Sequence, residues 1–117
     1  EREARLALQN KEDGLVIVAD KLMKKTKCPN VILKLGENGL IAQNKDKHTD
    51  TINALNENPV DVSGAGDSLL STSALAMCSG ASLWEASLLG AIAAAIQVNR
   101  LGNSPITQEE LNEACKI

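Results

Sequence analysis

Apolar residues recur at Leu15, Val16, Ala19, Leu22 and Met23, the spacing of a helix that buries one face, and the pattern runs to about Thr26. The charged residues 1–9 before it predict a separate short helix, with Asn10 and Asp13 marking the break between the two. After Cys28, Pro29 and Asn30 the periodicity changes. Val31, Ile32, Leu33, Lys34 and Leu35 form a short apolar run bounded by Gly36, which predicts a buried strand. Glu37, Asn38 and Gly39 supply turn chemistry, and Leu40, Ile41, Ala42 and Gln43 return as a second strand, so the pair predicts a hairpin. A polar stretch, Asn44 to Asp50, separates it from Thr51 and Ile52.

From Pro59 the chain becomes helical. Val60, Asp61, Val62 and Ser63 lead into Gly64, Ala65, Gly66 and Asp67, and an Ala/Leu/Ser-rich helix follows to about Gly80. Ser82 with Glu85 predicts a capping box, in which each side chain accepts from a backbone N–H of the other's turn, at the head of a helix running to about Asn99. Gly102 to Pro105 predicts a loop, and Thr107 with Glu110 repeats the capping box for a last helix. The order helix, strand, strand, helix, helix, helix implies an α/β unit whose sheet is incomplete in this chain. The rest of that sheet is expected from an N-terminal portion, or the chain is expected to pair with a second copy as a homo-oligomer.

Composition narrows the function. With 117 residues, one compact unit is expected over 1–117. Trp84 is the only aromatic residue and the net charge is −3, which removes both the stacking platform and the basic surface that nucleic acid requires. The apolar stretch Leu83–Val98 is interrupted by Glu85, Ser87 and Gln97 and falls short of the roughly 20 residues that span a bilayer, so no membrane crossing is expected. Cys28, Cys78 and Cys115 are odd in number and far apart, which argues against zinc or a disulfide framework and for a reducing, cytoplasmic compartment. The three read as small apolar fillers. The first residues, Glu1 to Arg5, have no signal-peptide character, and the chain reads as starting within something longer.

The chemistry centres on the glycines. Gly64 and Gly66, with Ala65 between them, let backbone N–H groups approach an anion where a helix also presents its positive end. A bare Gly-x-Gly at a helix start often serves packing alone. Asp67 alters the balance, because a carboxylate would repel a bound phosphate and is better used as a base. By itself, Asp67 is better read as a first-turn carboxylate that complements the helix dipole.

The run Val60-Asp61-Val62-Ser63-Gly64-Ala65-Gly66-Asp67-Ser68 resembles the second signature of the ribokinase-like (PfkB) carbohydrate kinases, Asp-Thr-x-Gly-Ala-Gly-Asp followed by a small residue. Lys34-Leu35-Gly36-Glu37-Asn38-Gly39 is similar to the family's strand and Gly-x-x-Gly turn, and Ala93 to Gly102 to its Ala-rich helix. The resemblance implies the C-terminal part of a three-layer α/β/α fold that uses ATP with Mg²⁺ to phosphorylate a sugar or sugar phosphate. It implies Asp67 as catalytic base, Gly64, Ala65 and Gly66 as the anion hole, and Gly36 and Gly39 as borders of ATP. It also implies a monovalent cation, K⁺, held by Asp61 and the carbonyl of Ser63. Val62 stands where the family usually has Thr, so no hydroxyl contact is expected there.

Lys34 either reaches a nucleotide phosphate or snorkels to solvent from a half-buried strand. Asn99 and Arg100 lie where the family closes over adenine, or simply cap a helix. His48 reads as a solvated turn residue and Trp84 as packing. Within the family, residues 58–67 and 100–102 look closest to the kinase domain of ADP-heptose synthesis enzymes, which phosphorylate a heptose 7-phosphate. The other reading is a non-catalytic nucleotide-binding module, against which the presence of Asp67 argues.

Overall fold

The computed structural model describes residues 1–56 and 58–116. Two helices, α1 (Arg2–Leu8) and α2 (Leu15–Thr26), precede a sheet of β1 (Asn30–Lys34), β2 (Leu40–Asn44) and β3 (Thr49–Ile52); helices α3 (Ala65–Cys78), α4 (Leu83–Val98) and α5 (Gln108–Ala114) follow. The predicted break between α1 and α2 is built by Asn10, whose Oδ1 accepts from the Asp13 N–H at 3.0 Å while its Nδ2 donates to the Asp13 carboxylate at 2.6 Å. Both capping boxes form as their spacing predicts. Ser82 Oγ accepts from Glu85 N–H at 3.2 Å and Thr107 Oγ1 from Glu110 N–H at 3.1 Å, with the glutamates reaching back to the Ser82 and Thr107 amides. The Glu85 carboxyl is held below its usual range by the Ser82 N–H and hydroxyl.

The sheet is antiparallel in the order β1-β2-β3, with Leu33 opposite Ile41 and Ile41 opposite Thr51. Alternation along the strands divides the core into two layers. Ile32, Leu40, Ala42 and Ile52 pack against Leu69, Met77, Leu83, Trp84 and Ala91 of α3 and α4. Leu33 and Leu35 turn the other way, into Ala4, Leu8, Leu15, Val18 and Leu22 of α1 and α2. This is a helix–sheet–helix sandwich with a short sheet, the three-layer α/β/α arrangement in partial form.

Three expectations need correction. The buried strand is β2, in which Leu40 to Gln43 are all buried; in β1 only Leu33 is, because β1 has a sheet neighbour on one side alone. The polar stretch ends earlier than its composition implies: Thr49 and Asp50 belong to β3, an edge strand whose backbone pairing tolerates polar, exposed side chains. The cysteines are not core fillers. All three are exposed, because each lies at or just beyond a helix end, where packing runs out: Cys28 after α2, Cys78 closing α3 and Cys115 capping α5. His48 is exposed in the turn after β2, and Trp84 is half-buried against the core, as read from the sequence.

Helices α3 and α4 cross on small residues. A methyl group at Gly90 would meet Ser73 Oγ at 2.2 Å, and the buried Ser73 hydroxyl donates to the Ala86 carbonyl at 2.9 Å. That close seat fixes the position of α3, and with it the residues at its first turn.

Candidate nucleotide and phosphoryl-transfer site

Asp61 organises the approach to the glycine turn. Its Oδ1 accepts from Ser63 N–H at 2.9 Å and its Oδ2 from Gly102 N–H at 2.9 Å, so one carboxylate ties the segment before α3 to the loop after α4. The nearby Ser63 hydroxyl and then these N–H groups hold the Asp61 carboxyl below the usual carboxylate range. The Val98 carbonyl, at the end of α4, accepts from Val60 N–H at 2.7 Å and from Asp61 N–H at 3.1 Å.

Gly64 then turns the chain. Its φ of 76° lies in the left-handed region, and a methyl group there would sit 2.1 Å from Asn103 Oδ1, so glycine is required both by conformation and by contact. Helix α3 begins directly after it, at Ala65, which makes Gly66 and Asp67 first-turn residues. First-turn amides lack partners within a helix. Ala65 N–H turns back to the Val62 carbonyl at 3.3 Å, and Ser68 N–H bonds the Gly64 carbonyl at 2.9 Å. Among the described residues, the N–H groups of Gly66 and Asp67 find no acceptor. Gly64 N–H is open in the same way among the described residues, so of the Gly64-Ala65-Gly66 set read from the sequence only the Ala65 N–H is turned back, and Asp67 N–H adds a further open donor. Asp67 itself is exposed at the mouth of the turn.

A cleft of about 1150 Å³ runs from this turn between the sheet and α4, comparable to or larger than the roughly 300–1,000 Å³ of small-molecule sites. Lys34, Gly36, Gly39, Ala65 and Gly66 line it together, with Ala91, Ala94, Ala95 and Val98 forming an apolar wall on α4. The turn after β1 is a single 3₁₀ turn, Gly36–Asn38, and Gly39 at φ 86° packs its backbone so closely on β3 that a methyl group would fall 1.9 Å from the Ile52 carbonyl oxygen. Lys34 is exposed, as a snorkelling lysine would be, and its ammonium lies against the glycine turn: a methyl group at Gly66 would come 2.7 Å from Lys34 Nζ. Glu3 shares that charge. Its own backbone N–H, and next the Lys34 ammonium, hold its carboxyl below the usual range.

Other residues singled out from the sequence fall elsewhere. Asn99 caps α4 and accepts from Asn56 Nδ2 at 3.5 Å, on the rim of a smaller neighbouring cleft lined also by Arg100. Arg100 is structural in its contacts, donating to Glu110 at 2.7 Å and to the carbonyls of Ser104 and Pro105 at 2.9 and 3.1 Å. Among the described residues no group of three His, Cys, Asp or Glu side chains gathers to hold a metal, and no helix is long and apolar enough to cross a membrane.

Residues 1–110 match the family model described as pfkB family carbohydrate kinase. The chain belongs to the pfkB family of carbohydrate kinases. It is 33% identical over 111 residues to the bifunctional protein HldE of Koribacter versatilis, a match covering 95% of this chain and 22% of that protein. In structure it is similar to the ribokinase of Thermotoga maritima, with a TM-score of 0.81, 29% identity, and coverage of 97% of this chain and 38% of that one. The ribokinase of Arabidopsis thaliana, solved with ribose and ATP, superposes with a TM-score of 0.83 at 23% identity, over 100% of this chain and 39% of that one. The ribokinase-like fold read from the signature is therefore the observed one. The chain spans about a fifth of the length of its HldE relative.

Sequence reasoning passed over Gln97 and Asn103. Both had a signal in the chain: a glutamine within an otherwise Ala/Ile-rich run, and an asparagine after a glycine.

Proposed function

We propose that this chain supplies the nucleotide site, the phosphoryl anion hole and the general base of an ATP-dependent carbohydrate kinase, the acceptor being a sugar or sugar phosphate. The observation that carries the reading is convergence at one end of a single cleft. Lys34 and Gly66 line the same end of the cleft with the ammonium beside the start of helix α3, the first-turn N–H donors of Gly66 and Asp67 are open, and Asp67 stands exposed one residue beyond the lining.

In this reading the adenosine half lies between the Gly36–Gly39 turn and the apolar wall of α4, and the terminal phosphates reach the glycine turn. Asp67 takes the proton of the acceptor hydroxyl as that oxygen attacks the terminal phosphorus; the bond to the bridging oxygen breaks and ADP leaves. Lys34 and the first-turn amides stabilise the charge on the transferred group. Mg²⁺ bound with ATP neutralises phosphate charge. Asp61 and Ser63 are proposed to hold a monovalent cation: the Asp61 carboxylate is kept ionised by the Ser63 hydroxyl and by the N–H groups of Ser63 and Gly102, and the Ser63 carbonyl would be the second oxygen donor. Within the family, the resemblance of residues 58–67 and 100–102 to the kinase domain of ADP-heptose synthesis enzymes puts a phosphorylated heptose among the acceptors to be tried first.

The test uses the full-length protein that carries this chain. Asp67→Asn is expected to leave ATP affinity nearly unchanged and to lower turnover by roughly 10² to 10⁴-fold, the usual worth of a general base. Lys34→Ala is expected to weaken ATP and ADP binding by calorimetry, with adenosine binding unaffected. Unchanged turnover in the first variant removes Asp67 from its role. ATP binding without phosphorylation of any sugar or sugar phosphate favours the non-catalytic module instead.

A further inference from the structure

Gln97 is completely buried, on a helix whose neighbouring positions are alanine, isoleucine and valine, and it does not line the cleft. A buried amide is costly unless both of its ends are satisfied. Here both are. Nε2 donates to the Gly102 carbonyl at 3.1 Å, and Oε1 accepts from Ser68 Oγ at 3.4 Å. Those two partners are the informative part. Ser68 is the residue after Asp67, in the first turns of α3, and Gly102 is the residue whose N–H holds Asp61.

The bonds therefore form one chain. Ser68 is tied to Gln97, Gln97 to Gly102, Gly102 to Asp61, and Asp61 to Ser63, which is joined covalently to Gly64. Asn103, next to Gly102, presses against Gly64 and completes the enclosure of the turn. From this we infer that Gln97 is a positioning residue for phosphoryl transfer: it sets the rotation of the first turn of α3 against the Asp61 segment, and so aims the Asp67 carboxylate and the Gly66 amide at one point. An apolar residue at position 97 would fill the same space more cheaply. It would leave the Ser68 hydroxyl and the Gly102 carbonyl without that link, and the turn free to rotate. Misplacing a catalytic group by about 1 Å is enough to cost about 10²-fold in rate, so a small rotation has a measurable consequence. The inference rests on the kinase reading above, and its test separates the two.

Gln97→Met keeps the length and removes both bonds; Ser68→Ala removes one and leaves the core amide in place. In the full-length protein, Gln97→Met is expected to lower kcat by about tenfold or more with the KM for ATP changed less than about threefold. Ser68→Ala should give a smaller drop in kcat, and the double variant should be no slower than Gln97→Met, because both act through one link. Ser73→Ala, which removes a buried hydroxyl from the same helix pair away from the turn, is the control for loss of stability alone. Amide hydrogen exchange in the ligand-free protein gives a readout that does not depend on activity. Ser63 and Gly102 should exchange about tenfold faster in Gln97→Met and in Ser68→Ala, while the middle of α3 is unchanged. A protein that phosphorylates nothing but shows this selective exchange defeats the kinase reading and keeps the positioning of the turn. Wild-type kcat in Gln97→Met, or exchange that rises equally along α3 and α4, overturns the role of Gln97. Should Gln97→Met fail to fold, Ser68→Ala carries the same two readouts: kcat and Ser63 exchange both at wild-type values would overturn it.

Discussion

A methyl group at position 90 would stand 2.2 Å from Ser73 Oγ and 3.1 Å from the Leu69 carbonyl oxygen, which makes Gly90→Ala a direct test of how α3 is seated on α4. In an open helix interior the same change stabilises by about 1 kcal/mol, because alanine loses less backbone entropy on folding. Two terms oppose it here. Forcing a carbon into a filled contact costs typically ~1–3 kcal/mol, and the backbone oxygen of Leu69 offers no flexible side chain to move aside. Ser73 must also swing away from Ala86, leaving a buried hydroxyl without its partner at a cost of about 1 kcal/mol or more. The net expectation is a loss of ~1–3 kcal/mol, read as a lower Tm of the full-length protein that carries this chain. Urea unfolding followed by circular dichroism gives the free energy directly. Combined with Ser73→Ala, the loss should be smaller than the sum of the two singles, since Ser73→Ala removes the oxygen that the new methyl group would displace. A Gly90→Ala protein as stable as the wild type, or more so, would refute the close crossing and with it the argument that α3 is held rigidly enough to aim Asp67.

Two further expectations concern the turn itself. Gly64→Ala must adopt φ near 76° and displace Asn103; the left-handed conformation alone costs a side chain roughly 1–2 kcal/mol, so the variant should be destabilised, and Asn103→Ala should restore only part of the loss in thermal unfolding. Asp61 carries a pH dependence with a defined sign. Because its hydrogen bonds lower the folded-state pKa beneath the ordinary value of about 3.9, its contribution is complete above that value and is lost only as pH falls through the lower, folded one. The Gly102 amide shift, followed by NMR, should therefore stay constant from pH 9 to about 5 and move only in stronger acid; a midpoint above the ordinary value would mean that the clamp does not hold the charged form.

Much of this protein was legible in the chain, and for a local reason. Helix α2, both capping boxes, the hairpin and the turn into α3 depend on residues within four or five positions of each other, so spacing alone carries them. The signature residues 60–68 likewise name the family, because the glycine turn into α3 is a continuous stretch of backbone. What the chain could not display was burial and long-range partnership. The strand of greatest burial, the polar edge strand β3 and the exposed cysteines all depend on where the neighbouring elements end. The placement of Lys34 against Gly66 joins residues more than thirty positions apart, as do the bond from Gly102 to Asp61 and the contact of Asn103 with Gly64. Gln97 reads in sequence as an interruption of an apolar helix; only its contacts, to Ser68 after the glycine turn and to Gly102, whose N–H holds Asp61 before it, reveal what the interruption holds together. Sequence determined which groups can carry the chemistry. Folding decided which of them meet, since a hydrogen bond between distant residues is set by the packing of whole elements and by no local rule.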